Sequence, residues 1–318
     1  MRILITGGAG RLGMTVCKTF LQDGFEVRIL DLDTPENHKR IRKLAARVEV
    51  MWGDITHPDS VRQAVEGAEA VVHMAAILPP LACQRPDLAA RVNVGGTKLI
   101  VDLIKETDRR IPFVFTSSVA AFGPTPGATD PLCPERDQPN PRGAYGETKL
   151  QAERLIKKSG IDYVILRLTA TMYLSFSGSD LKRMFTIPLD NRIEYCHPSD
   201  AATAILNAVK KFDAVKGNTL VISGGPGQRM LYRDMITAIL GVLGLPLPPA
   251  SKFTSEPYYL NWYDTAKSQE LLEFQRHTFT DYLRDYAAEL ARCYGPGFIP
   301  FMRFFIGPIL GKTIVKFF

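Results

Sequence analysis

Residues 2–13 read Arg-Ile-Leu-Ile-Thr-Gly-Gly-Ala-Gly-Arg-Leu-Gly, and this stretch decides the fold. An apolar run of strand length enters a turn in which every third residue is glycine. Glycine permits the tight turn and lets backbone N–H groups approach a pyrophosphate at the start of the following helix. A glycine run alone is only a tight turn, but its place between a strand and a helix is the context of a dinucleotide site. The predicted phosphate-binding residues are Gly7, Gly10, Arg11, Leu12 and Gly13.

The second apolar run ends in Asp31, eighteen residues after Gly13. An acidic residue about 20 positions after the glycines binds the adenosine ribose hydroxyls in such folds. A carboxylate there repels a 2′-phosphate, so the sequence predicts NAD as the cofactor. The alternatives are that Asp31 only begins a turn, or that Arg11 and Arg28 favour NADP.

Short apolar runs alternate with amphipathic stretches through the first half of the chain. The pattern predicts strands at 2–6, 26–31, 48–52, 70–74, 112–116 and 163–168. It predicts helices at 12–22, 36–46, 58–65, 86–106 and 144–158. Strands that alternate with helices form a parallel sheet covered on both faces. The expected fold is α/β, a Rossmann doubly wound parallel sheet.

The second half is less regular and predicts a small C-terminal substrate lobe. Helices are expected at 199–211, 232–243 and 279–293, with a strand at 218–222. We expect an NAD-binding Rossmann domain over residues 1–168, to which a segment near 197–223 returns. The interleaved substrate lobe then covers 169–294, and an apolar tail covers 295–318.

Tyr145 and Lys149 lie four residues apart, which places them on one face of a helix. A lysine ammonium stabilises a nearby phenolate, so the tyrosine can exchange a proton with an alcohol or a carbonyl. Ser117 and Ser118 follow the fifth predicted strand, at the sheet edge where ligands bind. A hydroxyl there can hydrogen-bond the substrate oxygen, or it can simply cap a turn.

Together these residues resemble the extended short-chain dehydrogenase/reductase family, the epimerase/dehydratase group, over roughly residues 1–290. The matching pieces are TGGAGRLG at 6–13, Asp31, GDI at 53–55, HMAA at 73–76, NVGGT at 93–97, TSSVAAFG at 116–123 and YGETK at 145–149. The resemblance implies that Tyr145 is the acid/base, that Lys149 binds the nicotinamide ribose and tunes Tyr145, and that Ser118 polarises the substrate oxygen.

The resemblance also implies the remaining cofactor contacts. Asp54 and Ile55 would flank the adenine, and Asn93 would support the site. Met74, Ala75 and Ala76 would lie along the dinucleotide. We expect His73 to end a strand rather than to act in catalysis. Relatives often pair through two helices, here 86–106 and 144–158, which implies a homodimer.

Departures from the family pattern narrow the expected reaction. Dehydratases and decarboxylases of the family carry acidic residues just after the catalytic hydroxyl, where this chain has Val119 and Ala120. Ala170 stands where nucleotide-sugar enzymes usually have an asparagine. Elimination and decarboxylation are therefore not expected. Two reactions stay open: epimerisation of a sugar or nucleotide sugar, and oxidation or reduction of an apolar hydroxy or keto compound, as in hydroxysteroid dehydrogenases. A non-catalytic NAD(P) sensor on the same fold is the alternative.

Bulk properties exclude several other classes. The net charge of +6 comes without a dense basic block, which argues against a nucleic-acid partner. The five cysteines include no C-x-x-C pair, so neither a disulfide framework nor a metal site is expected. Cysteine usage and the lack of a secretory signal predict a cytoplasmic protein. The family resemblance implies a small-molecule substrate.

The last residues, 295–318, read GPGFIPFMRFFIGPILGKTIVKFF. Two prolines and three cations interrupt this run, so a spanning helix is not expected. Peripheral membrane contact is one interpretation, and packing over the active site or on a second subunit is the other. From position alone, the candidates for the substrate pocket are Leu81, Ser175, Phe176 and Met184.

Overall fold

The computed structural model of the protein describes residues 1–171 and 183–306. Within these residues the main sheet has seven parallel strands in the order β3-β2-β1-β4-β5-β6-β9. The strands are β1 (Arg2–Thr6), β2 (Glu26–Asp31), β3 (Glu49–Trp52), β4 (Ala70–His73), β5 (Phe113–Ser118), β6 (Tyr163–Leu168) and β9 (Thr219–Ile222). The strand order reverses between β1 and β4, which opens a crevice at their carboxyl ends. The predicted doubly wound Rossmann fold is confirmed.

Helices cover both faces of this sheet and build the lobe beyond it. In the first half they are α1 (Arg11–Gln22), α2 (Pro35–Ile41), α3 (Pro58–Val65), α4 (Leu81–Gln84), α5 (Pro86–Ala89), α6 (Thr97–Lys105) and α7 (Ala144–Lys158). In the second half they are α8 (Pro198–Lys210), α9 (Phe212–Val215), α10 (Tyr232–Val242), α11 (Ala266–Leu272), α12 (Phe279–Tyr294) and α13 (Phe298–Phe301). A π-helical turn, Met302–Ile306, follows α13.

The side chains of the strands alternate between two apolar layers because successive residues point to opposite faces. Ile3 and Ile5 enter a cluster with α1 and α8, whereas Leu4 enters a second cluster with α3, α6 and α7. A third cluster draws mainly on residues 184–299 and fills the lobe. The segment 197–223 thus supplies a helix and the last strand to the main sheet.

Two predicted helices differ from the structure. Helix α2 ends at Ile41, and 3₁₀-type turns continue to Arg47, because the run from Lys39 to Lys43 places like charges four residues apart. The expected helix 86–106 forms, but its centre is a π-helical segment, Ala90–Gly96. There Gly96 has space only for hydrogen, since a Cβ would lie 2.7 Å from Ile55 Cδ1.

A second, three-stranded sheet was not predicted. It consists of β7 (Ala170–Thr171), β8 (Arg192–Cys196) and β10 (Arg229–Leu231), in the order β10-β8-β7. Strand β8 pairs parallel with β7 and antiparallel with β10. These short strands carry polar and charged residues, so they lack the apolar pattern that marks the main sheet.

Candidate active site

A cavity of about 740 Å³ lies at the carboxyl ends of the main-sheet strands. Nearly all of the predicted site residues line this cavity. The predicted residues that line it are Gly7, Gly10, Arg11, Leu12, Gly13, Asp31, Asp54, Ile55, Met74, Ala75, Ala76, Ser118, Tyr145 and Lys149. Asn93 is buried behind this wall.

The glycine turn is built so that backbone occupies space that a side chain would fill. Gly7 has a φ of +74°, and a Cβ there would lie 2.8 Å from Ala75 N. A Cβ on Gly13 would lie 2.3 Å from the Gly7 carbonyl oxygen. Helix α1 begins directly after this turn, at Arg11, and its N-terminus favours an anion. The turn therefore fits a dinucleotide pyrophosphate.

Asp31 connects the end of β2 to the glycine turn. Its Oδ2 accepts a hydrogen bond from Ala9 N at 2.9 Å, and its Oδ1 accepts from Leu32 N and from Asn37 Nδ2. Burial raises the pKa of Asp31, and the two backbone donors partly offset that rise. Oδ2 keeps a lone pair toward the cavity, which fits a ribose hydroxyl donor.

Arg28 is held away from the ribose end of the cavity. Its guanidinium donates to Glu49 Oε2 at 2.9 Å and to the carbonyl oxygens of Gln63, Ala64 and Glu66. These carbonyls end helix α3, where a cation is favourable. Arg28 does not line the cavity, so its charge serves the fold at this position.

His73 anchors the backbone that runs along the cavity. The ring bonds Thr6 Oγ1 through Nδ1 at 2.6 Å and Thr97 Oγ1 through Nε2 at 2.9 Å. Burial lowers the pKa of His73 to about 3, so the ring is neutral. Thr6 Oγ1 also accepts from the N–H groups of Met74 and Ala75. The expectation that His73 ends a strand matches its place at the end of β4.

Asn93 acts on the site through its neighbours. Its Oδ1 accepts from Ile77 N at 2.7 Å, and its Nδ2 donates to the oxygens of Ile77 and Thr148. It therefore joins the loop after β4 to helix α7, and the π-helical turn around it aims the amide there. At the adenine end, Asp54 Oδ1 accepts from the N–H and the hydroxyl of Thr56, which fixes this carboxylate in a turn.

Lys149 is a buried ammonium on the first turns of α7, on the same face as Tyr145. Its Nζ donates to the Thr116 carbonyl oxygen at 2.8 Å and lies 4.8 Å from the centre of the Phe115 ring. Only 3% of the residue is exposed. Burial lowers the pKa of Lys149 to about 8, while the Glu153 carboxylate acts in the opposite direction. Lys149 and Tyr145 thus both line the cavity, four residues apart on α7.

Ser118 ends β5 with its hydroxyl toward the cavity. Its Oγ accepts from Ala120 N at 3.1 Å, so the hydroxyl proton can be donated to a ligand. The neighbouring Ser117 hydroxyl instead donates to Glu153 Oε1 at 2.6 Å. Of the two serines, Ser118 is therefore the one suited to a substrate oxygen. Val119 also lines the cavity, and Ala120 is buried beside it.

Comparisons with known proteins agree with this geometry. The model of the NAD dependent epimerase/dehydratase family matches residues 3–223. The chain belongs to this family. The match covers the glycine turn, helix α7 with Tyr145 and Lys149, and the last strand of the main sheet.

Relatives within and around this family include enzymes of differing function. D-erythronate dehydrogenase from Cupriavidus necator is 29% identical over 275 residues, which are 77% of this chain and 82% of that one. The uncharacterized protein y4nG from Sinorhizobium fredii is 32% identical over 64% of this chain. This chain spans about half of the length of y4nG, 52%.

A solved structure shows the same fold at low identity. UDP-glucuronic acid 4-epimerase from Bacillus cereus, in complex with UDP-glucuronic acid and NAD, has a TM-score of 0.78 and 20% identity. The likeness covers 92% of this chain and 100% of that one. It extends well past residue 223, so the lobe also follows this fold.

Most of the cavity wall that the lobe forms was not predicted from the sequence. Helix α10 supplies Tyr232, Met235, Ile236, Ile239 and Leu240 to the cavity. Their spacing is that of one helix face, a signal that was present in the sequence. Tyr258 and Tyr259 lie in a loop and had no local signal. Leu81 and Met184 line the cavity as expected, whereas Ser175 and Phe176 lie outside the described residues.

A helix that spans a membrane needs about 20 largely apolar residues. Across residues 1–171 and 183–306, no helix combines the length and the apolar character needed to cross a bilayer. The end of the described chain does carry exposed aromatic side chains, Tyr294, Phe301 and Phe304.

Proposed function

We propose that this protein is an NAD-dependent oxidoreductase that acts at a secondary alcohol or ketone, with Tyr145 as the acid/base. The observation that carries the proposal is the buried Lys149, which lines the same cavity as Tyr145 and the glycine turn. A binding module has no need of a buried amine and a phenol in one cavity wall. Perturbed ionisable groups of this kind are typical of catalytic sites.

The residues of the chain divide the chemistry among them. When it is bound, the nicotinamide ring supplies the acceptor or donor of a hydride. Tyr145 takes the proton of the alcohol, or returns it to the carbonyl oxygen, and Lys149 stabilises the phenolate. Ser118 donates its hydroxyl proton to the same substrate oxygen. The Thr116 carbonyl holds Lys149 in position for this role.

Replacement of Tyr145 by Phe tests the proposal against the sensor alternative. We expect Tyr145→Phe to lower turnover by about 100-fold or more while the Kd for NAD stays within about twofold, because only the proton-transfer group is removed. Calorimetry with NAD and an NADH absorbance assay provide the two readouts. Unchanged turnover would overturn the catalytic role of Tyr145.

We propose that NAD is preferred over NADP. The Asp31 carboxylate would repel a 2′-phosphate, and Arg28 is committed to Glu49 and the end of α3. Calorimetric titration with each dinucleotide measures the preference directly. Tighter NADP binding would show that Arg11 outweighs Asp31, and binding of neither would remove the dinucleotide site itself.

The same site favours simple redox chemistry or epimerisation over elimination and decarboxylation. Val119 and Ala120 follow Ser118 in a 3₁₀ turn and offer no acid or base at those positions. We therefore propose that the product keeps every carbon and oxygen of the substrate. Elimination of water or loss of carbon dioxide would lower the product mass by about 18 or about 44 mass units and would require a further acid/base group. Mass spectrometry of the product would detect either loss and would contradict the proposal.

We also propose that the protein forms a homodimer through the helices of 86–106 and 144–158, in a reducing, cytoplasmic setting. Light scattering of the purified protein measures the mass and tests the dimer.

For the tail 295–318, the exposed Phe301 and Phe304 support peripheral contact with a membrane surface. Sedimentation with anionic vesicles, with and without residues 295–318, tests that contact, and equal binding of both forms would exclude it.

A further inference from the structure

One wall of the cavity beyond Tyr145 and Ser118 is the apolar face of a helix. Helix α10 presents residues at intervals of three and four, so its cavity side carries Met235, Ile236, Ile239 and Leu240 after Tyr232. Leu78, Leu81 and Val92 line the cavity near the loop after β4. A ligand in this chamber exchanges water for hydrocarbon over most of its surface.

Two phenols of this wall already donate their hydroxyl protons within the protein. Tyr232 donates its hydroxyl to the Met184 carbonyl oxygen at 3.0 Å, and Tyr258 donates to the Tyr259 hydroxyl at 3.0 Å. Burial raises the pKa of Tyr259 well above its ordinary value, so this phenol is neutral. A ligand oxygen that accepts from Tyr232 or Tyr258 would therefore have to compete with these internal bonds.

Charge is equally sparse on this side. In the described part of the lobe wall, Arg183 is the only charged side chain. It is exposed, and its charge offsets only part of the rise in pKa that burial causes in Tyr232 and Tyr259. A nucleotide diphosphate carries two charges, and a single solvated guanidinium is a weak match for them.

We propose that the substrate is a compact apolar secondary alcohol or ketone, such as a fused-ring hydrocarbon with one hydroxyl or keto group, and not a polyol or a sugar nucleotide. The inference rests on the proposed oxidoreductase function and names the substrate class of the same site. Ser118 and Tyr145 bind the one oxygen, and the α10 face packs against the hydrocarbon. Each further hydroxyl buried against the α10 face without a partner costs about 1–3 kcal/mol, which disfavours a polyol.

The test compares three ligands on the protein–NAD complex by calorimetry: trans-2-decalol, D-erythronate and UDP-glucose. We expect the decalol to bind at least about tenfold more tightly than either polar ligand, with NADH formation from it. Equal or tighter binding of a polar ligand, or no binding of decalol, would overturn the inference. Titration with NAD alone is done first: its failure would refute the proposed function, whereas intact NAD binding with a reversed ligand order refutes the substrate class only.

Substitutions on α10 add a control within one helix. Ile239→Asn places an amide in the chamber, and Thr237→Asn places the same group on the exposed side. We expect decalol to bind about tenfold more weakly to Ile239→Asn and unchanged to Thr237→Asn, with NAD affinity intact in both. Met235→Gln, which nearly conserves volume, serves if Ile239→Asn fails to fold. Unchanged decalol binding in the chamber variant would contradict the proposal.

Discussion

Arg167 holds Glu153 through a bidentate ion pair, with Nε–Oε1 at 2.9 Å and Nη2–Oε2 at 2.8 Å. Both side chains are almost fully buried. Glu153 lies one turn beyond Lys149 on α7, and Arg167 belongs to β6, so the pair fixes the catalytic helix to the sheet. The Arg167 guanidinium also lies 4.5 Å from the centre of the Phe122 ring.

Glu153→Gln should destabilise the protein by about 3–5 kcal/mol, because it leaves the Arg167 charge buried without its partner. Urea unfolding at pH 7 measures the loss. The double variant Glu153→Leu with Arg167→Met is the control, and it should regain most of the stability since no charge remains buried. A single variant as stable as the parent would show that the pair is not clamping α7.

Lys149→Met should stabilise the cofactor-free protein at pH 7. The folded-state pKa of about 8 lies below the ordinary value of about 10.4, so folding disfavours the ammonium, by about 3 kcal/mol at any pH below 8. Loss of the bond to Thr116 offsets about 1 kcal/mol, which leaves a gain of about 2 kcal/mol.

The sign of this effect can be checked against pH. The parent should gain stability as pH rises from about 8 towards 10.4, because the unfolded chain then binds the proton that the folded protein lacks. The advantage of Lys149→Met in urea unfolding should therefore shrink over that interval. An advantage that stays constant would mean that the ammonium carries no burial penalty.

The kcat/KM for carbonyl reduction should fall as pH rises above about 8. This ratio reports the ionisation of groups in the free enzyme. Lys149 loses its charge above about pH 8, and Tyr145 must be protonated to donate a proton to the carbonyl oxygen. Stopped-flow NADH oxidation between about pH 6 and about pH 10 gives the profile. A plateau that continues to the alkaline limit would contradict the assignment of Lys149.

Gly13→Ala should abolish NAD binding and destabilise the fold by about 2 kcal/mol or more, because the new Cβ would meet the Gly7 carbonyl oxygen at 2.3 Å. Gly241→Ala is the matched control: it lies on an exposed face of α10 with nothing within 4 Å of its Cβ. This control should gain up to about 1 kcal/mol. Calorimetry with NAD and thermal unfolding measure both variants.

Local patterns explain why the nucleotide end of the site could be predicted. The glycine turn, Asp31 and the Tyr145–Lys149 spacing are motifs that can be read from the order of residues along the chain. The doubly wound parallel sheet followed from buried apolar runs that alternate with helices. Motifs of this kind need no knowledge of distant contacts.

The remaining features depend on contacts between distant residues. Arg28 was left open as an NADP ligand, and only the folded chain brings it to the carbonyls of α3, 35 or more residues away. Strands β7, β8 and β10 are only two to five residues long and pair with one another, so no long apolar run reveals them. The amide of Asn93 reaches Thr148 because a π-helical turn shifts it, and helix periodicity alone does not place such a turn.

Strand β9 follows β6 by about 50 residues in the sequence, which has a consequence for folding during synthesis. Residues 219–222 pair with β6, and helix α8 packs in the same apolar layer as α1. Both segments must leave the ribosome before this edge of the sheet is paired and this face is covered. Until then Tyr163–Leu168 is an open edge, a template for pairing with another chain. A nascent chain that ends at Leu168 already holds the glycine turn and the catalytic helix, yet it still lacks the strand that protects its own edge.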